Sequence, residues 1–409
     1  MVCSFGDQND VSIFRELSLK PFVAIDLDGK LTKISGPLRG LKVLDARKRA
    51  IEILEKSGKM KSSNRRMQEI PVSERGGNPV EIILLKEWYV RQTHVIERLS
   101  EITGQCNFVP ERNKQFLFDW MEGISIDWPI SRRRWYHTEV PIWYSEDASK
   151  VVVPPNGIYV QPWRDTPPKG SEVLDRVTRE FIGPYDGIAE SLGALSGETK
   201  VFDTWMDSSN SNLYVSGYIS NPDMFERAFP TALRPQGKEI VRTWLYYTML
   251  KSALLFDKPA FANIWIDGLG MDPWGRKMSK SLGNFRLVGD LLKKYPGEVL
   301  RYAILTAHYR FEQNFGFSVL DAAKNSLDSL YGYLRAAEKI KISHSDELFS
   351  CRGVDALLDD LNTPLALSEL HRIAKEMHAS NGTKQQRLKT QLVNLAKLMG
   401  LLQQQPEAW

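Results

Sequence analysis

Ala262, Ile264 and Ile266 alternate with Asn263, Trp265 and Asp267, a two-residue period that predicts a strand. Gly268, Gly270 and Gly275 then loosen the backbone. Upstream, Ile240, Trp244, Tyr247 and Leu254 or Leu255 recur at helical spacing, so a helix is expected to begin just after Gly237 with its positive end near that turn. Leu320, Ala323, Leu327, Leu330 and Leu334 mark one long amphipathic helix, and Leu388, Leu392, Leu395, Leu398 and Leu402 mark another. Thr363-Pro364 reads as an N-cap followed by proline at the first helical position. Such helices suit an antiparallel bundle. Residues 1 to about 85 alternate short apolar runs with Asp, Gly and Lys turns and include a helix over Ala46–Ser57, the pattern of a small α+β piece.

The glycine-rich segment runs into Arg276, Lys277 and Lys280, and cations on such a turn suit a polyanion. Attack on the α-phosphate of a nucleoside triphosphate spreads negative charge over the phosphate oxygens, so a protein assists mainly by positioning and by fixed positive charge. Lys280 is the leading candidate for that charge. A solvated Lys/Ser turn is the ordinary fate of such a run, but Lys277-Met278-Ser279-Lys280-Ser281 is too specific a string to favour it.

Composition narrows the setting. The chain has 409 residues, 42% hydrophobic and 25% charged, which is ordinary globular usage with length for two or three cores. Its net charge of +4 permits a nucleic-acid partner without requiring one. Cys3, Cys106 and Cys351 are too few and too far apart for a disulfide framework or a Cys-x-x-Cys zinc knuckle, so a reducing, cytoplasmic setting is expected. Met1 to Lys20 lacks a signal-type apolar core, and no run nears the ~20 apolar residues of a membrane span.

Gly275-Arg276-Lys277-Met278-Ser279-Lys280-Ser281-Leu282-Gly283-Asn284 resembles the second signature, KMSKS, of class I aminoacyl-tRNA synthetases. Further upstream, Asp127-Trp128-Pro129-Ile130-Ser131-Arg132-Arg133-Arg134, Asp203-Thr204-Trp205-Met206-Asp207-Ser208-Ser209 and Leu233-Arg234-Pro235-Gln236-Gly237-Lys238-Glu239 are similar to valyl enzymes, the archaeal type above all. Beyond the loop the likeness changes. Val299-Leu300-Arg301-Tyr302, His308-Tyr309-Arg310, Asp359-Asp360-Leu361-Asn362-Thr363-Pro364 and the final Leu401 to Trp409 resemble a cysteinyl-tRNA synthetase. The chain therefore reads as a chimera joined near a signature that both families share.

The resemblance implies an α/β fold: part of a class I Rossmann-type catalytic domain, a remnant of an α+β editing insertion, and a C-terminal helical bundle. Residues 1–100 would be the remnant and connector, 101–285 the C-terminal half of the catalytic domain, and 286–409 a stem-contact or DALR-like bundle. Within the second region, residues 108–150 and 200–285 are expected to share one doubly wound sheet. The implied reaction is ligation of valine to tRNA with ATP and Mg²⁺. Lys277 and Lys280 would carry the catalytic charge, with Met278, Ser279 and Ser281 beside them on ATP; Gly237 and Glu239 would hold adenosine. Tyr136 and Trp205 would wall the amino-acid pocket, crowded by His137, and Asp10 would survive from the editing pocket. Ser73, Asn78 and Ser145 stand where relatives carry zinc-binding cysteines, so no zinc is expected. The H-x-G-H partner signature does not occur in the 409 residues. Three readings stay open: an enzyme of valyl type, or cysteinyl-related, completed by a separately encoded N-terminal half; a non-catalytic tRNA- or ATP-binding remnant; and a nonfunctional fragment.

Overall fold

The computed structural model describes residues 5, 8–64, 67, 69–73, 76–279, 282–342 and 351–409. The chain divides into two compact units, Met1–Trp88 and Tyr89–Trp409. In the first, helices Gln8–Glu16 and Val43–Lys56 flank extended stretches. Among the described residues those stretches close isolated bridges, such as Ile25 with Leu31, rather than a sheet. The reason is a thin core: among the described residues of this unit only Phe14 and Ala46 are buried apolar side chains, while Leu27 and Phe22 are 72% and 59% exposed.

The second unit begins its core with a three-stranded parallel sheet. Phe261–Asp267 is the central strand, flanked by Thr231–Gly237 and Asn107–Val109. Ile264 and Ile266 are fully buried, as the alternation required; Phe261 rather than Ala262 continues the buried set. Residues 128–150 do not join this sheet as expected. Trp128–Pro129 pairs with Tyr89–Val90, and Ser131–Arg132 with Val201–Phe202. Between them lies a five-stranded antiparallel sheet formed by residues 143–197, with Trp143, Val152, Val160, Val173 and Leu192 as its core.

The remaining chain forms a helical bundle, with helices Gly297–Leu305, Phe317–Ala336, Arg352–Leu358, Thr363–His378 and Gly382–Leu398. All five apolar positions read from Leu320 to Leu334 are buried. Each large one contributes about 1.5–3 kcal/mol. On the last helix Leu388, Leu392 and Leu395 are buried, but Leu398 is 57% exposed and Leu402 lies beyond the helix; Met399 and Leu401 fill their places. The cap of Thr363–His378 is Asn362 and not Thr363: its side chain accepts the Leu365 N–H at 3.2 Å, one residue earlier than the proline suggested. Among the described residues no helix is long and apolar enough to cross a membrane.

Candidate nucleotide and amino-acid site

Parallel pairing sets Gly237 opposite Asp267, so both strands end at one level. Ligands of open parallel sheets bind along such an edge. The helix after Gly237 does not start as a plain α-turn. A 3₁₀ turn, Lys238–Ile240, passes into a π-turn, Val241–Leu245, and only then into the α-helix Tyr246–Phe256. The wider turn puts Val241, Leu245 and Tyr246 into the core together, all fully buried, and leaves Leu254 and Leu255 45% and 56% exposed. Met249 and Leu250 take the buried face that those leucines were expected to hold.

Gly237 has a steric role here. A Cβ on it would stand 2.1 Å from a carboxylate oxygen of Glu239, whose side chain folds back over the bare backbone. Burial, then the charge of Glu239, pushes the Asp267 carboxyl above its ordinary value. Two hydrogen-bond acceptors therefore meet at the strand ends, while Lys238 turns away to pair with Glu312.

The lysine loop hangs from Asp272. Its Oδ1 accepts the N–H groups of Trp274 and Arg276 at 3.0 and 2.9 Å, and its Oδ2 accepts Arg276 Nε at 2.9 Å and Asn284 Nδ2 at 3.1 Å. Burial alone would raise this carboxyl; those hydrogen bonds outweigh it and hold it down at about 2. Asn284 closes the other end, donating to the Lys277 carbonyl at 3.0 Å and accepting the Ser279 N–H at 2.9 Å. Lys277 is exposed, and Met278 and Ser279 are half-buried. Lys280 and Ser281 lie outside the described residues. Gly268 allows the stem to pass the chain at Phe311, whose carbonyl oxygen would be 1.9 Å from an added Cβ.

A second cluster surrounds Trp205, half-buried on the short helix Thr204–Ser208. Asp203 caps that helix, accepting the Trp205 N–H at 2.7 Å, and is held by Arg132 at 2.7 Å. His137 Nδ1 meets Asp207 Oδ2 at 2.5 Å, so the imidazole that was expected to crowd the pocket wall instead fastens its loop to this helix. Lys251 donates to the Met206 carbonyl and, at 2.9 Å, to Asn210 Oδ1; burial lowers its ammonium to about 8. Tyr136 is 90% exposed. Ser208 Oγ, Arg234 Nε and both side-chain amide atoms of Asn212 and Gln236 are buried without a partner. Two of these residues meet at Trp244, whose Nε1 donates to the Ser208 carbonyl at 2.8 Å and whose ring lies 3.8 Å under the Arg234 guanidinium.

Of the other sequence candidates, Asp10 is half-buried in the first turn of Gln8–Glu16, in the separate first unit. The Ser73 N–H donates to the Asn78 carbonyl at 2.8 Å, and Ser145 Oγ donates to Asp147 at 2.6 Å. Among the described residues no three His, Cys, Asp or Glu side chains gather as a ligand set. Asp267, Asp272 and Lys251 shape this candidate site, and no sequence motif names them. Asp272-Pro273-Trp274-Gly275 was the one available signal, being a turn-forming string.

A nucleotide-type sheet edge joined to a KMSKS-like loop defines the class, and the chain belongs to the class I tRNA synthetases: the family model "tRNA synthetases class I (I, L, M and V)" matches residues 27–316. A DALR domain model matches residues 354–403. The first match runs through the loop and past residue 278. The chain is similar to the valine–tRNA ligase of Aeropyrum pernix, 41% identical over 319 residues, 77% of this chain and 37% of that protein. Those of Nanoarchaeum equitans and Methanocaldococcus jannaschii are 40% and 32% identical over 74% and 90% of this chain, and 38% and 39% of their own lengths. The chain thus spans under two fifths of the relatives it matches.

Proposed function

We propose that this chain is the nucleotide- and amino-acid-binding part of a valine–tRNA ligase, activating valine with ATP and Mg²⁺ and passing it to tRNA in the cytoplasm. The observation that carries this is the union at one sheet edge of Gly237, Glu239 and Asp267 with the loop built on Asp272. Glu239 and Asp267 would accept the ribose hydroxyls, Gly237 would admit the adenosine, and Lys277 with Lys280 would offset phosphate charge, Met278, Ser279 and Ser281 framing them. Trp205, on its anchored helix, would face the aliphatic side chain together with Tyr136. A pocket shaped for valine cannot strongly reject threonine, and valyl enzymes are the established example of that limit; Asp10 would then be the trace of an editing site.

The unpaired atoms of Ser208, Asn212, Arg234 and Gln236 support a site completed by further groups, from substrate or from another protein segment. Because H-x-G-H is not among these residues, we assign catalysis to the chain together with an N-terminal half that carries it. The test is ATP–pyrophosphate exchange by the chain mixed with the N-terminal half of the Aeropyrum pernix relative. Valine-dependent exchange should exceed cysteine-dependent exchange, and Trp205→Ala should reduce it by tenfold or more, about 1.4 kcal/mol, while exposed Lys339→Ala leaves it unchanged. Faster exchange with cysteine would move the assignment to the cysteinyl-like part of the chain.

A further inference from the structure

Two carboxylates meet at the strand ends. Glu239 folds back over Gly237, and Asp267 stands opposite that glycine in the parallel register. Among the described residues no ion pair holds either of them. The cation nearest in sequence is Lys238, and it points elsewhere: its ammonium donates to Glu312. Glu312 sits on a segment that is fixed from two sides. Gly268 leaves room for that segment to cross, with the Glu312 nitrogen 2.9 Å from where a Cβ would stand, and the Gly268 N–H donates to the Tyr309 carbonyl at 2.8 Å. From the helical side, Asp360 accepts the Tyr309 hydroxyl and meets Arg310, each at 2.5 Å. The residue before Glu312 holds another cation, since Arg112 lies over the Phe311 ring, 5.4 Å from its centre. Two successive residues of one anchored segment thus each occupy a positive side chain.

We propose that Glu312 is a positioning residue, parking the Lys238 ammonium off the strand ends so that Glu239 and Asp267 stay open to the hydroxyls of a nucleoside. This rests on the nucleotide reading given above and adds what keeps that site free. The Lys238 and Glu312 side chains are 36% and 45% exposed, so their pairing adds little stability; its effect lies in where it leaves the ammonium. Asp267 is half-buried, and an ammonium joining it would shed water, which makes exposed Glu312 the easier partner. With Glu312 gone, the two carboxylates are the next negative groups along this edge, and an acceptor taken by an ammonium is lost to a hydroxyl.

Equilibrium dialysis of the full chain against ATP and against 2′,3′-dideoxy-ATP, which lacks both ribose hydroxyls, tests this. Base and phosphate contacts are common to the two, so the ratio of their affinities reports the acceptors alone. Wild type should prefer ATP. Glu312→Ala should lower the ratio roughly tenfold, the worth of one hydrogen bond to a charged group. Lys238→Met combined with Glu312→Ala should restore it, which a loss of local structure would not. A crystal structure of the Glu312→Ala variant should show the Lys238 ammonium against Glu239 or Asp267, and an ammonium left in solvent would overturn the proposal. So would a ratio that Glu312→Ala leaves unchanged, or one that it lowers and the double variant does not restore; either result leaves the nucleoside site standing. Equal binding of the two nucleotides by wild type, or binding of neither, would overturn the nucleoside reading itself and the proposal with it.

Discussion

The Asp272 carboxylate, 1% exposed, receives its hydrogen bonds from both ends of the lysine loop. A carboxyl depressed on folding stabilises above its ordinary value of 3.8, and the gain is lost as pH falls through about 2. The loop should therefore keep its shape down to about pH 4 and open below that, as read by the fluorescence of Trp274, which sits on it 76% exposed. Asn284→Ala should open it at neutral pH, speeding amide exchange at Ser279 by about fivefold, since one partly exposed hydrogen bond is worth ~1 kcal/mol. Lys251 carries the opposite sign. Its ammonium is charged at neutral pH at a cost set by burial, so the unfolded chain binds more protons between about 8 and 10.5. Stability should rise with pH across that window, by up to ~3 kcal/mol, and Lys251→Met should abolish the rise in denaturant titrations compared between pH 7 and 10. Motif strings single out Lys277, Gly237, Glu239 and Trp205 as candidates. Lys251 is not among them, since its role depends on a carbonyl 45 residues away in sequence.

Helices with a sustained 3.6-residue period could be read almost to their ends, because their whole buried face is written in leucines: Phe317–Ala336 is the clearest case. Strands of two to four residues carry no such record. The antiparallel sheet of residues 143–197 is built of these, held by one tryptophan and a few valines contributed by separate segments, so no local period announces it. The π-turn after Gly237 was hidden for a different reason: helical spacing was present, but packing of Val241 with Tyr246 shifted the frame by one residue. Caps are decided by geometry as much as by composition. Asn362→Ala should cost about 1 kcal/mol in equilibrium unfolding, and Thr363→Ala clearly less, reversing the order the proline implied.

The two compact units have very different cores, and the consequence is measurable. A polypeptide of residues 89–409 should unfold at the same denaturant midpoint as the whole 409-residue chain, with the first unit contributing a separate and weaker transition. By itself the chain should give little or no valine-dependent pyrophosphate exchange, and a robust signal from the purified chain would refute the division of labour proposed above. The helical region is joined to the loop by a short bridge. Gly270–Met271 runs parallel to Gln313–Asn314, and the Phe315 N–H donates to the Met271 carbonyl at 2.8 Å. A Cβ on Gly316, where the helix Phe317–Ala336 starts, would sit 2.9 Å from the Pro273 ring. Mechanically the ladder is a pin between the loop and the long helix, so a tilt of that helix should shift the loop at Lys277 along with it.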